Sequence, residues 1–188
     1  MMQVTPTEIP EVLHVQPKVF GDARGFFLET HNRERYAAAG IDAVFVQDNV
    51  SLSERGILRG LHLQHPDGQG KLVWVLAGKV LDVAVDVRIG SPSFGRHVAR
   101  TLDADRKNQL WIPPGFAHGF SVLEGPALFV YKCTEVYRPE HELTVRWDDP
   151  ALGIDWQLEG PPALSAKDQG APRLQEIDER RLPRWSTP

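Results

Sequence analysis

In KVLDVAVDVR the apolar and polar positions alternate one for one. Leu81, Val83, Val85 and Val87 fall on one side of an extended chain, and Asp82, Ala84, Asp86 and Arg88 on the other. The first side is core, and the second faces either solvent or a polar interior. The preceding run, KLVWVLA, is apolar on both sides except at Lys71. That pattern predicts a central strand beginning at a cavity edge, where a lysine would want a carboxylate close by. Similar runs recur in VLHVQPKVF, AVFVQDNVSLS, ILRGLHLQ, GRHVARTLD, QLWIP, HGFSVLE, ALFVYKCTEV and ELTVRW. Roughly ten short strands punctuated by Gly and Pro predict an all-β sandwich or barrel. Gly78 in LAGKV and Gly125–Pro126 in SVLEGPALF read as hairpin turns.

Two segments depart from the strand pattern. HNRERYAAAG predicts a short helix with Asn32 as its N-cap and Gly40 as its stop, and SAKDQGAPRLQEIDERRLP predicts a capped turn followed by a charged helix. No repeat, low-complexity tract or linker interrupts the chain, so one domain over residues 1–188 is expected.

In GILRGLHLQ, strict alternation puts Arg59, Leu61 and Leu63 on one face and Gly60, His62 and Gln64 on the other. A lone strand histidine is commonly structural. Here Gly60 leaves room beside it, and Arg59 and Lys71 bring positive charge, so His62 is a candidate for proton transfer.

Composition narrows the classes. With 41% hydrophobic and 24% charged residues the chain reads as a soluble globular protein, and no apolar run is long enough to span a bilayer. Its start, MMQVTPTEIPEVL, lacks the basic-then-apolar pattern of a secretory signal, so a cytoplasmic location is expected. A net charge of −4 argues against nucleic acid as a partner, and an anionic ligand must be met by a few local Arg or Lys residues. The single cysteine, Cys133, excludes an internal disulfide and reads as a small buried strand residue.

WIPPGFAHGF places Pro113, Gly115 and His118 in the spacing P-x-G-x-x-H, which resembles the second motif of the cupin superfamily of small β-barrels and jelly rolls. Many cupins hold a transition metal with three histidines and a carboxylate. In this chain the second histidine position is Gln64, an amide and a poor ligand for such metals, and His65 has the wrong parity to face the same way as His62. No metal is expected, which leaves His62 free for proton chemistry.

A longer resemblance covers about residues 20 to 170. FGDARGFFLE, FVQDNVSLSERGILRGLHLQ, GKLVWVLAGKVLDVAVDVRIGSPSFG, QLWIPPGFAHGF, YKCTEVY and LSAKD, in this order, resemble the dTDP-4-dehydrorhamnose 3,5-epimerases. The resemblance implies a cupin-type jelly roll with a short N-terminal helix and a helical C-terminal segment. It implies a cofactor-independent isomerase that inverts carbons 3 and 5 of a dTDP-4-keto-6-deoxyhexose through an enolate. His62 would be the base, Asp168 its orienting carboxylate, Lys71 the cation at the enolate oxygen, and Tyr131 the acid on the opposite face. Arg59 would clamp the diphosphate, and Arg24, Phe26 and Glu29 would contact the nucleotide. Gln47, Asn49, His118, Tyr137, Glu142 and Lys167 match further binding positions, Tyr137 near the sugar. The family's N-terminal strand region crosses to a neighbouring subunit, which implies a homodimer with shared sites.

Two tensions accompany this reading. Ser165 and Asp168 also form a capping box, so a helix cap and a histidine compete for one carboxylate. Alternation also sends Arg59 to the leucine side unless a bulge near Gly60 turns it inward. Members often carry a basic residue where this chain has Trp74, on the face opposite Lys71. The alternatives are an epimerase of one carbon or of a related dTDP-4-keto sugar, a non-catalytic sugar-nucleotide-binding cupin, and a metal-dependent cupin enzyme.

Overall fold

The computed structural model describes residues 2–186. Eleven strands and two short helices follow in chain order: β1 (Gln3–Pro6), β2 (Leu13–Gln16), β3 (Val19–Asp22), β4 (Gly25–Leu28), α1 (Arg33–Ala38), β5 (Gln47–Ser53), β6 (Leu58–Gln64), β7 (Lys71–Asp86), β8 (His97–Asp103), β9 (Gln109–Ile112), β10 (Phe116–Cys133), β11 (Glu142–Thr144) and α2 (Ala166–Gln169). The all-β jelly-roll expectation holds, with one instructive difference. Gly78 and Gly125–Pro126 do not make hairpins. They lie within β7 and β10, two long strands that pair antiparallel along nearly their whole lengths with register shifts at the corner. Gly78 has φ +73°, and a Cβ there would meet the Glu124 carbonyl at 2.4 Å and Ala127 Cα at 2.9 Å. The glycine is needed because two bent backbones press together at this point.

The corner divides each long strand between two layers. The start of β7 and the end of β10 join β9, β2, β1 and β5. The end of β7 and the start of β10 join β8, β6 and β11. Strands β3 and β4 form a separate, exposed two-stranded ribbon.

Alternation then sorts the side chains into three clusters. Val73, Val75, Leu110, Ile112, Phe120 and Phe129 fill the interior, where the Phe120 and Phe129 rings stack at 4.1 Å. Each fully buried side chain of this size contributes roughly 1.5–3 kcal/mol. On the other face of β7, Leu72 and Trp74 pack with Tyr36 of α1, so Trp74 serves packing, away from the interior. Leu81, Val83, Val85 and Val87 pack beneath the C-terminal tail through Trp156, Leu174 and Leu182. The two apolar faces of KLVWVLA are thus explained by two different cores.

Helix α1 has the expected Asn32 cap, whose side chain accepts from the Arg35 amide. The charged helix expected in the tail is absent. After α2, Pro172 precedes two single 3-10 turns, Leu174–Glu176 and Glu179–Arg181, and the path follows buried Leu174, Ile177 and Leu182 instead of a helical period. Burial overrides propensity there.

Candidate active site

Antiparallel partners directly opposite each other share a face, so the registers state which side chains line the interior. In one layer, Asn49, Tyr131 and Val73 form a row, and Gln47, Cys133 and Lys71 form the next. In the other, His62 and His118 share a row, with Arg59, Phe120 and Asp82 in the next. The rows enclose a cavity of about 580 Å³ lined by Arg59, His62, Lys71, His118, Tyr131, Lys167 and Asp168, with Phe120 and Phe129 as its apolar floor. A larger groove lies by Arg55, Lys79 and Glu124, but its charges are paired among themselves and no histidine or tyrosine reaches it.

The bend in β6 resolves the position of Arg59. Opposite β10, the three residues from His118 to Phe120 face the four from Arg59 to His62, which is a β-bulge. One extra residue flips the parity, so Arg59 and His62 both reach the cavity while Leu58, Leu61 and Leu63 stay in the core. The expectation that Arg59 shares a face with Leu61 and Leu63 is therefore corrected. Gly60 makes the bulge feasible: its φ is +130°, and a Cβ would sit 2.5 Å from Gly119 Cα. The Arg59 guanidinium donates to Ser53 Oγ at 3.0 Å.

His62 Nε2 lies 2.6 Å from Asp168 Oδ1. Asp168 is buried, which raises its pKa, but the His62 ring, the Ser165 hydroxyl and the Gly60 amide outweigh burial and hold the carboxyl below its ordinary value. A neutral His62 donating from Nε2 leaves Nδ1 with a free lone pair. The predicted competition with the helix cap does not arise. Ser165 Oγ caps α2 by accepting the Asp168 backbone amide at 3.1 Å, and the Asp168 side chain is free to reach His62.

Lys71 is buried among apolar strands, and burial pushes its pKa down against the pull of Cys133, Asp82 and Glu142. The carboxylate expected beside it is not within ion-pair reach among the described residues. Burial raises the Tyr131 hydroxyl above its usual value, so it is a protonated donor at neutral pH. Glu142 accepts from Lys167 Nζ at 2.8 Å and from the Tyr137 hydroxyl at 3.0 Å, and Gln47 accepts the Tyr137 amide at 2.8 Å. These contacts join Gln47, Asn49, Tyr137, Glu142 and Lys167 in one network, Gln47 donating to Asn49 at 3.0 Å, and of the five Lys167 lines the cavity.

Asp82 is a site residue that alternation alone does not single out. It is fully buried and accepts from His118 Nε2 at 2.8 Å, making a second histidine–carboxylate pair. The signal was present in the alternation, which put Asp82 opposite the apolar side, but alternation could not tell a polar interior from solvent.

Arg24, Phe26 and Glu29 are not brought to this cavity within the chain. Arg24 is exposed and paired with Asp22, Phe26 is exposed beneath Lys107 Nζ, and Glu29 pairs with Arg35 at 2.8 Å.

Comparison with known proteins agrees with the geometry. A family model described as dTDP-4-dehydrorhamnose 3,5-epimerase matches residues 6–176. The dTDP-4-dehydrorhamnose 3,5-epimerase of Pseudomonas aeruginosa is 51% identical, covering 94% of this chain and 98% of that protein. The dTDP-6-deoxy-D-glucose-3,5-epimerase RmlC of Legionella pneumophila, solved in complex with dTDP-4-keto-L-rhamnose, superposes with a TM-score of 0.97 at 50% identity, covering 100% of both chains. ChmJ, a 3'-monoepimerase from Streptomyces bikiniensis solved with dTDP-quinovose, gives a TM-score of 0.89 at 38% identity, covering 96% of this chain and 92% of its own. On the strength of the matched length and these identities, the chain belongs to the dTDP-4-dehydrorhamnose 3,5-epimerase family.

Proposed function

We propose that this protein inverts carbons 3 and 5 of dTDP-4-keto-6-deoxy-D-glucose, giving dTDP-4-keto-L-rhamnose without a cofactor. The observation that carries the reading is the 2.6 Å His62–Asp168 pair on one layer, facing Tyr131 and Lys71 on the other across a cavity of about 580 Å³. In this mechanism His62 Nδ1 takes the proton from a carbon next to the 4-keto group. The C–H electron pair becomes the enolate double bond, and the negative oxygen is held by the Lys71 ammonium. Tyr131 then delivers a proton from the opposite side, which turns exchange into inversion. Asp168 fixes the His62 tautomer and supports the imidazolium. Arg59 pairs with the diphosphate, and His118, Gln47, Asn49, Tyr137, Glu142 and Lys167 surround the sugar and phosphates.

In the same reading Arg24, Phe26 and Glu29 complete the nucleotide site of a second copy in a homodimer. The exposed β3–β4 ribbon supports this, since it carries Phe26 and Phe27 outside the chain's own core. A cytoplasmic location accompanies it, consistent with Cys133 as a free thiol and with no helix among the described residues long and apolar enough to cross a membrane.

The test is incubation with the substrate in heavy water, followed by NMR. Deuterium at both carbons is expected; its loss in His62→Ala, and loss of inversion with exchange retained in Tyr131→Phe, would support the assigned roles. Deuterium at one carbon would favour the second reading, a single-carbon epimerase, to which the likeness to the 3'-monoepimerase gives some weight. Binding without exchange, or activity abolished by chelation and restored by a divalent metal, would overturn the proposal.

A further inference from the structure

Gln64 occupies the position at which metal-binding cupins carry a second histidine, and its side chain is buried. Its Nε2 donates to the Asp67 carbonyl at 2.6 Å and to the Val136 carbonyl at 3.1 Å, while its Oε1 accepts the Arg138 amide at 2.8 Å. Both amide hydrogens and the carbonyl are therefore committed to backbone. Two of these three bonds bracket Tyr137, one residue before it and one after.

The rest of the Tyr137 environment converges on the same point. The Tyr137 amide donates to Gln47, and Gln69 donates to the Glu135 carbonyl at 2.9 Å. The Tyr137 hydroxyl donates to Glu142, which is the direct cross-strand partner of Gln64 between β11 and β6. Gln64 thus fixes the backbone on both sides of Tyr137 and stands beside the carboxylate that holds its ring hydroxyl. The segment leaves the sheet at Cys133, the end of β10. Between there and the 3-10 turn at Pro139–His141 it has no strand to order it.

We propose that Gln64 is a positioning residue that sets the placement of Tyr137 against Glu142 and Gln47, and through it the binding of the sugar. That Tyr137 meets the sugar, and which sugar it is, rests on the proposed function, but the anchoring itself does not. A misplacement of a positioning group by about 1 Å can cost up to a hundredfold.

Gln64→Met keeps length and volume while removing all three bonds, and Gln64→Glu keeps the acceptor for Arg138 but not both donors. Amide hydrogen exchange is expected to speed up over residues 135–138 in Gln64→Met, and less in Gln64→Glu, with β7 and β10 unchanged. With dTDP-4-keto-6-deoxyglucose, KM is expected to rise about tenfold while kcat changes only a few-fold. The Gln64→Met/Tyr137→Ala double variant is expected to be no worse than Tyr137→Ala alone, as for two residues acting through one contact. Unchanged exchange over residues 135–138, or additive losses in the double variant, would overturn the proposal. If the wild-type protein failed to epimerise while the segment still loosened in Gln64→Met, the anchoring would stand and the reading of the activity would fall.

Discussion

At His62 the decisive partner is Asp168, and Ser165 is what makes that partner available. Because the serine hydroxyl caps α2 by accepting the backbone amide of Asp168, the carboxylate can be altered without removing the cap. Asp168→Asn is therefore expected to keep the fold while lowering kcat by about two to four orders of magnitude, the usual worth of a well-oriented base. Thermal melting read beside the rate checks this, and an unchanged rate would dismiss the dyad. Lys71 makes the opposite case. A buried ammonium whose pKa is depressed binds its proton less readily folded than unfolded, so it costs stability at neutral pH and the cost fades as pH rises toward 10.5. Lys71→Met should raise Tm by a few degrees, about 2–4 °C per kcal/mol in a chain of this size, and lower kcat about a hundredfold. A lower Tm would mean that the lysine is better satisfied than its surroundings indicate. His62, Lys71 and Tyr131 were legible in the sequence, mostly through motif resemblance. The partner of His118 was not, because Asp82 reads the same whether its face of the strand meets water or an interior.

The elements show where alternation stops being a sufficient guide. It sorted β7 correctly into two apolar faces, yet failed at Arg59, where one inserted residue reverses the parity. The word Arg-Gly contains the cause, since only glycine tolerates the conformation and the approach to Gly119. The word does not say where the insertion falls. Gly60→Ala should destabilise the protein by on the order of 3 kcal/mol, with a loss of nucleotide-sugar affinity as Arg59 turns away. Denaturant unfolding and binding calorimetry would check it, and a variant with wild-type values for both would show that the bulge is not needed. The same limit explains the corners. Gly78 and Gly125 carry turn-like residues, and whether a chain reverses or merely bends there is decided by packing between strands distant in sequence.

For the whole molecule, the separation of the β3–β4 ribbon from the cavity has a direct test. If each site draws on two copies, inactive His62→Ala and inactive Arg24→Ala proteins should regain activity when mixed and allowed to exchange subunits, because one hybrid site then holds both wild-type residues. No recovery in verified hybrids would place Arg24 outside the site. Stability should also follow pH through His118. Burial lowers its pKa below 6.5 against the pull of Asp82, so the unfolded chain takes up the proton more readily. Its contribution is whole above pH 6.5 and is lost as pH falls through the folded value. The Tm is expected to drop between about pH 7 and pH 5, and His118→Gln should flatten part of that slope. Part will remain, since His14 and His31 are lowered in the same sense.

The corner at Gly78 and Gly125 has a mechanical corollary. Strand β7 carries Lys71 on one wall and Asp82 on the other, and β10 likewise carries Tyr131 and His118. The two walls are thus the arms of a pair of calipers cut from the same two strands, and the gap between them is set at the pivot. Changes at that pivot would widen or narrow the jaws without touching any group that meets the sugar, so selectivity for the size of a substrate can be adjusted from a place where no chemistry occurs.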